Sequence, residues 1–122
     1  MPSTPPFAEL DNYLLARPAA TVDYPFDESV RVYRVGGKMF ALLREDQDPL
    51  HINLKCDPAD ALALRSEYEA ILPGYNMDKK HWNTLILDGS LPCALVYELI
   101  DHSYDLIFQV LPKAKRGGLR GS

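Results

Sequence analysis

The stretch of sequence that decides the fold is residues 73–105, PGYNMDKKHWNTLILDGSLPCALVYELIDHSYD. It opens with a Pro-Gly turn, passes through a basic cluster that contains the only tryptophan, and then reads as a short strand over residues 83–87. After a second turn, Ser90 is predicted to cap a long helix with Pro92 near its first position. Apolar side chains then recur at helical spacing and predict one buried face. This predicted stripe comprises Leu95, Val96, Leu99, Ile100, Ser103, Tyr104, Ile107, Phe108 and Leu111.

Two further helices are predicted upstream of this stretch. Ser3 or Thr4 is expected to cap the first helix, which ends before Pro18. Asp57 is expected to cap the second, with Pro58 as its first residue, where a missing N–H costs nothing. The apolar positions assigned to this second helix are Leu62, Leu64, Tyr68, Ile71 and Leu72.

Three strands are predicted between those two helices. Residues 30–35 and 38–44 flank Gly36-Gly37, which is a strong hairpin signal, and residues 50–56 form the third strand. The order is therefore helix, three strands, helix, strand, helix. It predicts an α+β domain, an antiparallel β-sheet with helices packed on one face. The other face of such a sheet is left open.

The length and composition are those of a single globular domain. Residues 1–112 are expected to fold as one unit, and residues 113–122 form a basic, Gly-rich tail that is expected to be disordered. We find no membrane-spanning run and no signal peptide, which favours a cytoplasmic protein, taken here as a monomer. Cys56 and Cys93 are expected to be reduced thiols in the core. A formal net charge of −4 argues against general nucleic-acid binding, so any DNA contact requires a local basic patch.

Alternation of side chains divides the predicted hairpin into two faces, with Val35 opposite Lys38 and Val32 opposite Ala41. The face expected to lie under the helices comprises Val30, Val32, Met39, Ala41 and Leu43. The face expected to be open comprises Arg31, Tyr33, Lys38, Phe40, Leu42 and Arg44, together with His51, Asn53 and Lys55 of the third strand. Cations neutralise phosphates and aromatic rings stack on bases, so this open face favours nucleic-acid binding.

A resemblance to a known family rests on motifs spread over nearly the whole chain. They are Pro73-Gly74-Tyr75, Met77, residues 79–84, residues 87–92, residues 98–105 apart from His102, and upstream residues 25–28, 37–42 and 54–58. On these residues the chain resembles the MmcQ/YjbR family, whose members are usually described as DNA-binding. The resemblance implies a fold similar to CyaY, the bacterial frataxin, as a two-layer sandwich. It also implies DNA contact through paired hairpin wings, here the turns at residues 36–37 and 46–49, and it brings no catalytic motif.

The predicted nucleic-acid-binding residues combine the open strand face with the basic cluster of the opening stretch. They are Arg31, Tyr33, Lys38, Phe40, Arg44, Lys55, Lys79, Lys80, His81 and Trp82. The sequence contains no glycine-rich phosphate loop, no recognisable Cys–His pair and no HExxH-like ligand set. We therefore expect a non-enzymatic protein that binds DNA weakly and largely without sequence preference.

Other interpretations of the same residues stay open. Arg31 and Lys38 are also typical of a solvated strand edge, Tyr33 and Phe40 of a cross-strand pair, and Trp82 of a packing anchor. The alternative function is a protein-interaction or regulatory module that docks a partner on the open sheet face. No cofactor is expected, and no metal site, because His51, His81 and His102 lack ligand spacing. A weaker alternative is a metal-holding acidic ridge made of Glu9, Asp11, Asp23, Asp27 and Glu28.

Overall fold

The computed structural model describes residues 5–75 and 77–120. Its helices are α1 (Phe7–Leu15), α2 (Pro58–Glu67), α3 (Cys93–Gln109) and α4 (Lys113–Arg120). Its strands are β1 (Thr21–Asp23), β2 (Val30–Val35), β3 (Lys38–Arg44), β4 (His51–Lys55), β5 (Ile71–Pro73) and β6 (Trp82–Ile86). The six strands form one antiparallel sheet in the order β1-β2-β3-β4-β6-β5. The predicted α+β class, an antiparallel sheet with helices packed on one face, is confirmed.

The main hydrophobic core lies between the sheet and the helices α1, α2 and α3. Helix α3 crosses β3 and β4, and Ile100 at its centre is fully buried. Ser103 fixes the crossing, because its Oγ donates to the carbonyl of Phe40 at 2.6 Å and accepts from the N–H of Lys55 at 2.9 Å. Leu95 and Leu99, predicted to be buried, are only partly buried on the flank of the helix that faces α2.

The β2–β3 hairpin determines which side chains reach the open face. Gly36 and Gly37 have φ values of +57° and +84°, which suit glycine in a two-residue hairpin turn, and Val35 pairs with Lys38 as predicted. A β-bulge then shifts the register next to Tyr33, so that Tyr33 rather than Val32 lies opposite Ala41.

The predicted hairpin faces are right for Ala41, Leu42, Leu43 and Arg44. They are wrong for Val30, Val32 and Met39 and for Arg31, Tyr33 and Phe40, because of this register and because β2 is apolar on both sides. Tyr33, Phe40, Ala41 and Leu43 pack into the main core under the helices. A separate small apolar cluster on the open face comprises Val30, Val32 and Leu42, with Met39 packed against it. In β4 the prediction is right, since Ile52 and Leu54 join the core while His51, Asn53 and Lys55 alternate to the other face.

Several element boundaries differ from the sequence expectation. Asp57 caps α2 as predicted, accepting from the N–H of Ala59 at 3.1 Å. Ile71 and Leu72 belong to the edge strand β5 instead of extending α2. Ser90 does not cap α3, because its Oγ donates to Asp88 Oδ1 at 2.6 Å within the preceding turn. The predicted caps Ser3 and Thr4 lie outside the described residues.

The chain after Pro112 is helical over Lys113–Arg120. Leu111 is buried, and its Cδ1 lies 2.8 Å from the position that a Cβ on Gly36 would occupy. This close approach anchors the start of α4 against the hairpin turn, and the carbonyl of Pro112 accepts from the N–H of Arg116 at 3.0 Å. A glycine at residue 36 is therefore required for both its positive φ and its contact with Leu111.

Candidate functional site

The ten predicted nucleic-acid-binding residues do not form one surface. Tyr33 and Phe40 are fully buried, with ring centroids 6.5 Å apart, and Phe40 packs edge-on against Tyr104 at 5.3 Å. Their placement on the open face is wrong, because the bulge turns both rings toward the helices. They stabilise the core and are not available for stacking on bases.

Arg31 is occupied by interactions with helix α1 and the β3–β4 turn. Its Nε donates to Glu45 at 2.9 Å and its Nη1 to Asp11 at 3.3 Å, while its guanidinium lies 4.8 Å from the ring centroid of Phe7. Asp11 also accepts from the buried hydroxyl of Tyr33 at 2.7 Å. Burial and the hydrogen bond to Asp11 raise the pKa of Tyr33 far above its ordinary value, so the hydroxyl remains a donor. Arg31 is therefore a structural ion-pair centre.

Two other arginines of the sheet are paired with nearby carboxylates. Arg44 makes two hydrogen bonds to Asp46, of 3.2 and 2.9 Å, across the base of the β3–β4 turn. Arg34 donates to Asp23 of the edge strand at 3.0 Å. Arg44 does lie on the open face, as predicted, but the carboxylate neutralises much of its charge. The acidic residues proposed for a metal ridge, Asp11 and Asp23, are used in these same ion pairs.

Residues 78–82 form a tight turn that holds the predicted basic cluster. Asp78 accepts from His81 Nδ1 at 2.7 Å and from the N–H of Lys80 at 3.0 Å, and these hydrogen bonds lower the pKa of Asp78. Trp82 is partly buried, and Gly74 approaches it so closely that a Cβ there would lie 2.8 Å from Trp82 Cβ. The structure thus brings Lys79, Lys80 and His81 together with Trp82 at one end of β6, with an anion at the centre of the turn.

Unpaired cations gather at one end of the sheet, which we call the basic end: Lys38, Lys55, Lys113, Lys115 and Arg116. Lys38 begins β3 and Lys55 ends β4, and the pairing of Ala41 with Leu54 places both at the same end. Lys115 Nζ lies 3.9 Å from where a Cβ on Gly37 would be, so α4 adds its cations beside the hairpin turn. Among the described residues, none of the ion pairs involves these five side chains.

A cleft, which we call the open-face cleft, lies on the open face and extends from Arg44 and His51 to the loop between β5 and β6. Its volume is 540 Å³, and it is bounded by Arg44, His51, Leu72, Tyr75, Lys79 and Thr84. Thr84 Oγ1 donates to Asn53 Oδ1 at 2.6 Å and accepts from the N–H of Tyr75 at 3.0 Å, which holds the segment after β5 over the strand. Burial and the nearby Arg44 lower the pKa of His51.

This cleft was missed from the sequence. The signal that could have indicated it is the pair Asn53 and Thr84, two polar residues at the centres of strands β4 and β6. Both are buried, so each needs a hydrogen-bond partner above the sheet. The partners come from residues after β5, more than twenty positions along the chain from Asn53.

Residues 5–75 and 77–120 contain neither a metal-ligand cluster nor a helix that could span a membrane. Within this part of the chain no three His, Cys, Asp or Glu side chains are arranged to hold a metal ion. His102 and Asp60 approach to 4.0 Å across the groove between α2 and α3, and Cys56 and Cys93 are both free thiols. None of the described helices has the length and apolar character needed to cross a bilayer.

Comparison with known sequences identifies relatives across most of the chain. The family model YjbR matches residues 15–106. The uncharacterised protein YjbR of Escherichia coli K12 is 34% identical over 109 residues, which cover 89% of this chain and 92% of that protein. The uncharacterised protein YbdF of Escherichia coli O157:H7 is 35% identical over 106 residues, covering 87% of each chain.

Solved structures share the fold described above. The crystal structure of Deinococcus radiodurans protein DR2400, with the family-model domain DUF419, has a TM-score of 0.90 at 36% identity and covers 98% of this chain and 91% of its own. A protein from Pseudomonas syringae has a TM-score of 0.74 at 26% identity and covers 84% of this chain and 99% of its own. With the family model matched over most of its length and curated relatives above 30% identity, the chain belongs to the YjbR family.

Proposed function

We propose that this protein binds DNA weakly and largely without sequence preference, as a non-enzymatic protein, through the basic end of its sheet. The observation that carries the proposal is the convergence of Lys38, Lys55 and the cations of α4 on one surface without ion-pair partners among the described residues. On a chain with a net charge of −4, such a local surface is what phosphate binding requires. The family resemblance, which implies DNA contact through a hairpin wing, supports the same end of the molecule.

The proposed interface differs from the one predicted from sequence. Arg31, Tyr33, Phe40 and Arg44 are excluded from it, since each is buried or paired with a carboxylate. The turn at residues 46–49 is left out as well, because Asp46 and Asp48 would repel phosphates. Lys38 and Lys55 remain from the original set, and the cations of α4 are added to them. Lys79, Lys80, His81 and Trp82 are set aside because Asp78 lies at the centre of their turn, although Trp82 pairs with Lys55.

The expected affinity follows from counterion release. Four or five phosphate contacts predict a slope of about −4 in a plot of log affinity against log salt concentration on duplex DNA. Specific base reading requires side chains such as Arg, Asn and Gln presented to a groove. The basic end supplies mainly lysines, which contact phosphates as point charges. Binding should therefore be similar for unrelated duplexes and weak at physiological salt.

Fluorescence anisotropy with a labelled duplex at several salt concentrations tests this proposal. The double variant Lys38→Gln, Lys115→Gln should reduce both the affinity at low salt and the slope, by about 2 units for two lost contacts. The matched control is Asn12→Asp, Ser66→Asp, which changes the net charge equally at exposed positions of α1 and α2. Equal behaviour of both double variants, or no salt-dependent affinity in the parent, would contradict the proposal.

A second candidate function is the docking of a protein partner on the open sheet face. The observation that favours it is the exposure of two aromatic side chains beside that face, Phe26 at 73% and Tyr75 at 64%. Affinity purification should then recover a partner with the parent that is lost with Phe26→Ser, Tyr75→Ser and retained with Lys38→Gln, Lys115→Gln. Recovery of the same proteins by all three forms would remove this candidate.

We also propose that the protein acts in the cytoplasm. Both thiols are free, and unpaired cysteines are typical of proteins kept in a reducing compartment. Cell fractionation with an antibody against the protein tests this, and recovery from a membrane or secreted fraction would contradict it.

A further inference from the structure

The open-face cleft has the size and shape of a small-molecule site. Its volume of 540 Å³ lies within the range of about 300–1,000 Å³ that is usual for ligand pockets. A second cleft of 490 Å³ adjoins it and shares Arg44, Asn53 and Tyr75, so the two form one continuous depression over β3, β4 and β6. Its Arg44 side lies about 20 Å along β3 from Lys38, whereas its Lys79 side belongs to the loop before β6, near the pairing of Trp82 with Lys55.

The open-face cleft contains two cations, Arg44 and Lys79, in its lining. None of its own lining residues is an Asp or Glu, whereas Asp27 and Asp46 line the adjoining cleft. Arg44 is shared with Asp46, whereas Lys79 has only a long contact of 3.5 Å from its Nζ to the carbonyl of Gly74. Lys79 is therefore the cation most available to a ligand, and it lines the cleft together with Tyr75.

The floor of the cleft holds a buried amide with a weak partner. Asn53 is 4% exposed, and its Nδ2 donates to the thioether sulfur of Met77 at 3.1 Å. A thioether is a poor acceptor, so a ligand oxygen in its place would make a stronger hydrogen bond. The Asn53 Oδ1 accepts from Thr84 Oγ1, so its N–H₂ group is directed to Met77, which lines the adjoining cleft.

The walls of the cleft are apolar and partly exposed. Tyr75, 64% exposed, lines the cleft together with Leu72 of β5 and Ile86 of β6. An exposed aromatic ring beside aliphatic side chains offers a flat surface for a planar apolar group. From these features we propose that the open-face cleft binds a small organic anion, with a planar apolar body against Tyr75, Leu72 and Ile86 and a carboxylate, sulfonate or phosphate group at Lys79.

A dye pair separates the anionic and apolar parts of this proposal. The first probe is 8-anilinonaphthalene-1-sulfonate, and the second is N-phenyl-1-naphthylamine, which has the same ring framework without the charge. The parent should bind the sulfonate saturably with one site per chain. Lys79→Gln should weaken this binding about fivefold, as expected for the loss of one solvent-accessible charge contact, and should leave the neutral probe unchanged. Lys80→Gln, the adjacent exposed lysine that does not line the cleft, is the matched control and should have no effect.

Location is read independently by ¹H–¹⁵N NMR, which needs no variant. The sulfonate should shift the amide signals of Leu72, Thr84 and Ile86 and leave those of Leu95 and Leu99, in the groove between α2 and α3, in place. Unsaturable binding, shifts centred on that groove, or equal effects of Lys79→Gln and Lys80→Gln would each overturn the proposal. If the open face accepts only proteins, binding of the sulfonate will be unsaturable. The DNA-binding proposal is tested separately, since Lys79→Gln leaves all five cations of the basic end in place.

Discussion

Replacing Arg31 by Glu should destabilise the fold severely, although the strand pattern alone marks Arg31 as an exposed cation. The side chain is 20% exposed and bridges Asp11 of α1 and Glu45 of the β3–β4 turn. Its guanidinium also lies 4.8 Å from the Phe7 ring centroid and 5.3 Å from that of Tyr24. The substitution removes all four contacts and places a third carboxylate beside the two that Arg31 neutralised.

The size of the effect follows from these contacts. Two partly exposed ion pairs and two cation–π contacts contribute about 2–3 kcal/mol together. Repulsion from the new carboxylate adds about 1 kcal/mol at a dielectric constant near that of water. The expected loss in the free energy of unfolding is therefore about 3–4 kcal/mol, a large fraction of the total for a domain of this size. The matched control, Lys38→Glu, should change it by less than about 0.5 kcal/mol because Lys38 is exposed and unpaired.

Urea denaturation followed by the fluorescence of Trp82, the single tryptophan, measures both variants. With a urea dependence of about 2 kcal/mol per molar, the midpoint of Arg31→Glu should fall by about 1.5–2 M. Indistinguishable midpoints for the parent, Arg31→Glu and Lys38→Glu would refute the ion-pair role assigned to Arg31. The result also matters for function, since loss of DNA binding in an Arg31 variant would then report unfolding and not a lost phosphate contact.

Two further predictions concern the core. Ile100→Ala should lower the free energy of unfolding by about 2–5 kcal/mol because Ile100 is fully buried. Leu99→Ala should lower it by only about 1–2 kcal/mol because Leu99 is partly buried. Equal urea midpoints for the two variants would contradict the α3 packing. Burial, and to a lesser extent the nearby Asp60 and Asp57, raises the pKa of the Cys56 thiol to about 11. In a Cys93→Ala variant, the rate of reaction with a disulfide reagent should therefore keep increasing between pH 9 and 11. The free energy of unfolding should fall over the same pH range, because the thiol of the unfolded chain ionises at a lower pH than the buried one. A reaction rate that reaches its plateau below pH 9 would contradict the raised pKa of Cys56.

The features that sequence predicted correctly depend on neighbouring residues. Gly36-Gly37 fixes the hairpin turn because both positions need positive φ, and Asp57 caps α2 because its side chain reaches an N–H two residues away. The stripe of α3 was recognisable because helical spacing places its apolar residues on one face regardless of what they contact. Each of these decisions is local, so the sequence by itself determined these elements, the α+β class and the long helix over the sheet.

Tertiary structure alone decided the surfaces. Strand β2 is apolar on both faces, so alternation could not tell which face meets the helices, and the bulge beside Tyr33 settled it. The arginines looked free because their carboxylate partners are distant in sequence: Asp11 lies 20 positions from Arg31, and Asp101 lies 84 positions from Arg17. Helix α4 and the open-face cleft likewise depend on contacts such as Leu111 with Gly36 and Tyr75 with Thr84. Charge and shape at a surface are properties of chain segments brought together by folding, and a linear pattern does not contain those pairings.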